Sequence, residues 1–160
     1  MKILGIDYGD SRIGVAVSDE GGRLAFDICV VDASKGRGHA VSELLKLKEK
    51  YDVQTFVIGL PANMDGTNGD RVAKTEKFAK ALLKAAPDLE IVFEDERLTT
   101  KYADRLMLES GKHQKQKGES DKLAAMIILQ GYLDKMNSKK NSFLGGMYAC
   151  LADARQPCSN

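Results

Sequence analysis

Lys2-Ile3-Leu4-Gly5-Ile6-Asp7-Tyr8-Gly9-Asp10-Ser11-Arg12-Ile13-Gly14-Val15-Ala16-Val17-Ser18 reads as two strands joined by a tight turn. Apolar residues on both sides of Leu4 and Ile6 mark a strand buried on both faces, which delivers the Asp7 carboxylate to the edge of a core. Carboxylates rarely sit there without a partner. A metal ion, a hydrogen-bonding backbone turn or the phosphate-bound metal of a substrate would serve, and the first and last would make Asp7 catalytic.

Working outward, residues 2–7, 12–18 and 23–31 are expected to form an antiparallel meander, turned at Gly9-Asp10-Ser11 and at Glu20-Gly21-Gly22. Val41, Leu44, Leu45 and Leu47 give residues 39–51 the spacing of an amphipathic helix. A short buried strand follows at 54–59, then a loop at 60–69 rich in Pro, Asn and Gly, then a helix over 70–86 ending before Pro87. Residues 89–95 form the next strand. Thr99 or Thr100 is placed to cap a helix running to about Ser110, with Gly111 at its C-terminal end. The polar run 112–119 reads as a loop. Ser120 can cap a final helix ending near Met136, whose Leu123, Ala124, Ile127, Ile128 and Gly131 form a face able to pack closely on a sheet. Three antiparallel strands followed by alternating helices and strands predict an α/β fold: a five-stranded mixed sheet, three strands antiparallel and two parallel, with helices on both faces. Residues 1–137 form one domain, and residues 138–160 a peripheral tail with a short element near 143–151.

The 160 residues, 43% hydrophobic and 29% charged, are ordinary for one globular domain. A net charge of +1 neither demands nor excludes a nucleic-acid partner, because local clustering of Lys and Arg decides that. Cys29, Cys150 and Cys158 form no CxxC pair, which argues against a disulfide framework or a zinc knuckle and favours a reducing cytoplasm. The amino terminus lacks the apolar run of a signal peptide, and no later run reaches transmembrane length, so no membrane partner is expected. Monomer and homodimer are both open.

Three sets of carboxylates fall at element ends: Asp7, Asp95 or Glu96, and Asp121. Phosphodiester hydrolysis with two metal ions needs acidic oxygens on one rigid edge, holding ions about 3.5 to 4 Å apart. Magnesium suits such a site because it takes few carboxylates and keeps exchangeable waters. Strand alternation turns Asp95 and Glu96 to opposite faces, so at most one of them shares a site with Asp7. Asp121 is also a natural partner for a helix dipole, and Asp95 could pair with Arg97 or Arg12. Asp10 and Ser11 are simplest as turn residues.

The segments Ile6-Asp7-Tyr8-Gly9 with Arg12-Ile13-Gly14-Val15-Ala16, Gly59-Leu60-Pro61-Ala62-Asn63-Met64-Asp65-Gly66, Asp95-Glu96-Arg97-Leu98-Thr99-Thr100, and Asp121 with Ala124-Ala125 and Ile127-Ile128-Leu129 resemble the YqgF/RuvX family, in its order and spacing over about residues 2–135. The resemblance implies a ribonuclease H-like fold and a metal-dependent nuclease, either a Holliday junction resolvase or a nuclease maturing the 5' end of the small-subunit ribosomal RNA precursor. Carried over by position, it implies that Asp7, Glu96 and Asp121 are both catalytic residues and metal ligands, with Asp95 as a neighbour. The ions are expected to be two Mg2+ or Mn2+.

The expected partner is nucleic acid, as structured RNA or branched DNA. Lys112, Lys115 and Lys117 in the loop before Asp121, together with Arg12 and Arg97, are the candidate phosphate contacts. Arg71, Lys74, Lys77, Lys80 and Lys84 make a basic stripe that would track phosphates or simply face solvent. His113 is a candidate acid or base, although a loop histidine without a partner is more often merely exposed. Tyr8 would stack on a base or pack beside the site. Two other classes compete with a nuclease. An actin-like ATPase lobe also opens on a strand with Asp-x-Gly, but it needs a second such lobe, which 160 residues do not provide. A non-catalytic RNA-binding module would have no use for three acids.

Overall fold

The computed structural model describes residues 1–61, 69–95 and 119–153. Five strands, β1 (Lys2–Tyr8), β2 (Arg12–Ser18), β3 (Ala25–Asp32), β4 (Val53–Leu60) and β5 (Glu90–Asp95), form one sheet in the order β3-β2-β1-β4-β5. β1 and β3 run antiparallel to β2, whereas β4 runs parallel to both β1 and β5. The parallel trio β1, β4 and β5 therefore ends at one edge, where Tyr8, Leu60 and Asp95 terminate their strands. Carboxyl ends of parallel strands are where α/β sheets bind ligands.

Helices α1 (Arg37–Tyr51) and α2 (Gly69–Ala85) cover one face, and α3 (Glu119–Asp153) crosses the other. Period-two alternation sorts the strand residues between these faces. Leu4, Ile6, Ile13, Val15, Phe56 and Ile58 pack with Leu44 of α1 and with Phe78 and Leu82 of α2, all fully buried. Ile3, Ala16 and Val57 pack on the other side with Ala125, Ile128, Leu129 and Leu133 of α3. Each fully buried large apolar side chain contributes about 1.5–3 kcal/mol relative to exposure. The predicted mixed sheet with helices on both faces is the fold observed.

Most boundaries shift by a residue or two, as α1 does by starting at Arg37 and not 39, and two of the differences have a visible cause. β3 starts at Ala25, two residues after the predicted start, because Asp19 Oδ1 accepts the backbone N–H of Arg23 at 2.7 Å and of Leu24 at 3.0 Å and so holds both in the turn. The final helix runs to Asp153 and not to about Met136. Fading amphipathicity after Asn137 removes the reason to pack on the sheet, but no proline occurs there before Pro157, so the backbone stays free to continue. The predicted helix after Thr99 or Thr100 lies outside the described residues, as does most of the 60–69 loop.

Candidate active site

Asp7 stands half-buried near the end of β1, in register with Gly14 of β2. Ile3 packs against α3, so alternation puts Gly5 and Asp7 on the α3 face with it. Two glycines let the helix come close. A Cβ on Gly5 would lie 2.6 Å from Leu129 Cβ, and a Cβ on Gly14 would lie 1.9 Å from the carbonyl oxygen of Asp121. Only a residue without a side chain lets the first turns of α3 rest on the β1–β2 ribbon. Gly14 thus joins the strand neighbour of Asp7 to the backbone of Asp121.

The Asp121 side chain completes this corner. Arg12 Nε lies 2.9 Å from Asp121 Oδ2. The contact is short enough for an ion pair, but Oδ2 is buried and accepts no hydrogen bond from the described residues. A desolvated carboxylate oxygen held only by charge is a suitable donor for a hard cation. Arg12, one of the two arginines open to Asp95, has Asp121 as a partner.

β5 brings a different pair of acids. Val92 and Glu94 face α3, and the buried Glu94 carboxylate takes the ammonium of Lys135. Asp95 shares its side of the strand with Ile91, which packs toward α1 and α2, so it faces away from Asp7. No cluster of three or more acidic, His or Cys side chains fit to hold a metal occurs among the described residues. Glu96, Arg97, Lys112, His113, Lys115 and Lys117 lie outside them.

Across the sheet, the Tyr8 ring stacks on Phe78 with centroids 4.7 Å apart. Tyr8, Gly9, Asp10, Arg71, Lys74 and Thr75 line a cavity of about 160 Å³ beside it. Asp10 is more than a turn residue: its Oδ2 pairs with Lys74 Nζ at 3.0 Å and raises the lysine above its usual range. Sequence reasoning missed this tie and the Gly14 contact. An acid on a turn and a glycine in a strand carry no mark of their distant partners.

Comparison with known proteins follows the same residues. The model of a family described as "RuvX: Holliday junction resolvase" matches residues 1–135. A protein of Ruminiclostridium cellulolyticum named "Putative pre-16S rRNA nuclease" is 46% identical over 143 residues, 89% of this chain and 100% of the relative. One of the same name from Acetivibrio thermocellus is 45% identical over 135 residues, covering 84% and 96%. Among solved structures, RuvC of Thermus thermophilus in complex with a Holliday junction substrate superposes with TM-score 0.57 at 15% identity, covering 84% of this chain and 96% of that one. A second structure of Thermus thermophilus RuvC gives 0.54 at 14% identity, covering 86% and 97%. These two likenesses establish the shared ribonuclease H-like fold. By its match over residues 1–135 and by relatives that it covers almost end to end, this chain belongs to the RuvX family and is a nuclease.

Proposed function

We propose that the chain is a divalent-metal-dependent nuclease that trims the 5' end of the pre-16S ribosomal RNA during ribosome biogenesis. The names of its relatives support the substrate. The observation that supports the site is that Gly14, in register with Asp7, lies against the backbone of Asp121, whose buried Oδ2 accepts no hydrogen bond from the described residues. Asp7, Asp121 and, from the end of β5, Glu96 would hold the metal. Glu96 is preferred because Asp95 faces the other side of the sheet. Mg2+ or Mn2+ bound there would polarise the scissile phosphate and supply an activated water.

The protein's own part is to fix Asp7 on a strand and Asp121 on a helix and to bring basic side chains to the nucleic-acid strand. Arg12, Arg97, Lys112, Lys115 and Lys117 are the proposed phosphate contacts. The chemistry is assigned to residues 1–137 and none to the tail. No helix among the described residues is long and apolar enough to cross a membrane. A cytoplasmic setting fits a ribosomal RNA substrate.

The test is cleavage of an unprocessed ribosomal RNA fragment, a four-way DNA junction and single-stranded DNA, side by side, with and without divalent metal. Asp7→Asn should lower the metal-dependent rate by more than the ~100-fold that loss of an outer-shell partner can cost, while nucleic-acid binding persists. Unchanged cleavage by that variant would end the metal-site reading. Cleavage of the junction alone would move the substrate to branched DNA, a second reading that the family's description favours. ATP hydrolysis indifferent to nucleic acid would point instead to an ATPase lobe.

A further inference from the structure

Arg12 carries an inference that rests on the metal reading above. It projects from the first residue of β2 on the side of Gly14, the side covered by α3, and its side chain remains 45% exposed. Asp121 is fixed differently, because its backbone lies directly on Gly14. Of the two partners, the arginine is therefore the one free to move. Its cross-strand neighbour Asp32 offers little competition, since Asp32 Oδ1 already accepts the N–H of Ser34 at 3.0 Å and its Oγ–H at 2.5 Å.

A guanidinium cannot lose its charge at any ordinary pH. It therefore cannot share Asp121 Oδ2 with a divalent cation without strong repulsion at close range. It does, however, match the geometry of a phosphate, which accepts two parallel N–H donors.

We infer that Arg12 is a placeholder cation at Asp121. It neutralises the buried Oδ2 until a divalent ion takes that oxygen, and it then turns to a phosphate of the nucleic-acid strand. Metal and nucleic acid consequently strengthen each other's binding, and the coupling is equal in both directions.

Mn2+ affinity of the full chain, measured by electron paramagnetic resonance or calorimetry, tests this without reference to cleavage. Arg12→Gln should bind Mn2+ about two- to fivefold more tightly in the absence of nucleic acid, the range expected for losing a partly exposed ion pair. An unprocessed ribosomal RNA fragment, added with Ca2+ replacing Mg2+ in the background, should tighten Mn2+ binding to the unaltered chain and much less to Arg12→Gln. Arg12→Lys, which keeps the charge but loses the bidentate fork, should fall between them. Thermal unfolding shows that each variant is folded. Equal or weaker Mn2+ binding by Arg12→Gln would overturn the placeholder role alone. Failure of the unaltered chain to bind Mn2+, or full binding by Asp121→Asn, would overturn the metal reading beneath it.

Discussion

The two faces of the sheet close on their helices differently. Toward α1 and α2, large side chains fill space: Phe56, Phe78, Leu4, Ile6, Leu44 and Leu82 are all fully buried. Toward α3, side chains are withheld so that backbones touch, at Gly5 and Gly14. Polar groups also enter that layer, with Glu94 joined to Lys135 and Gln130 bridging to the β2–β3 turn. Volume holds the first face together. Close approach adds to buried apolar side chains on the second, and it lays the Asp121 backbone on Gly14, the register partner of Asp7. The contrast implies that damage to the first face appears as lost stability, while damage at Gly14 on the second also appears as misplaced chemistry.

The largest stability effect should come from Phe56→Ala. Emptying this fully buried position costs about 3–5 kcal/mol, read as a lower denaturant midpoint, while the folded fraction keeps its cleavage rate. A large rate loss in the folded fraction would break the division between the faces. Gly14→Ala should cost less, about 1–3 kcal/mol of overpacking. Because the added Cβ meets the Asp121 backbone, its cleavage rate should nonetheless fall out of proportion to its stability. A normal rate in that variant would remove the claim that contact of α3 with the ribbon sets the site.

Gln130→Leu has the most local effect and sharpens the comparison. Gln130 Oε1 accepts the Ala25 N–H at 2.9 Å, and Nε2 donates to the Arg23 carbonyl at 2.8 Å. Their loss in a nearly buried setting should cost about 1–3 kcal/mol. Slowed amide exchange at Ala25 depends on that acceptor, so exchange there should accelerate more than at Ile58 on the opposite face.

Much of this was legible in the chain. Alternation around Leu4 and Ile6 foretold β1 and the emergence of Asp7, because side-chain direction in a strand is local. The spacing of Leu44, Leu45 and Leu47 foretold α1 for the same reason. Alternation also said that Asp95 and its successor would face opposite ways, and Asp95 does face away from Asp7. What was not legible depended on residues far apart in sequence. Nothing near Arg12 marks its pairing with Asp121, and nothing near Asp19 alone fixes how much of the following chain its carboxylate would hold in the turn. The length of α3 escaped because amphipathicity reports packing, whereas a helix persists wherever nothing forbids it.

By itself the sequence determined the types of the described elements, the mixed sheet and the identity of the acids, since each follows from short-range periodicity and residue chemistry. Only the tertiary structure decided which elements lie against one another at the ends of the strands. The Asp121 backbone comes to lie beside the strand of Asp7 because Gly14, in register with Asp7 and beneath Asp121, has no side chain to hold the helix off.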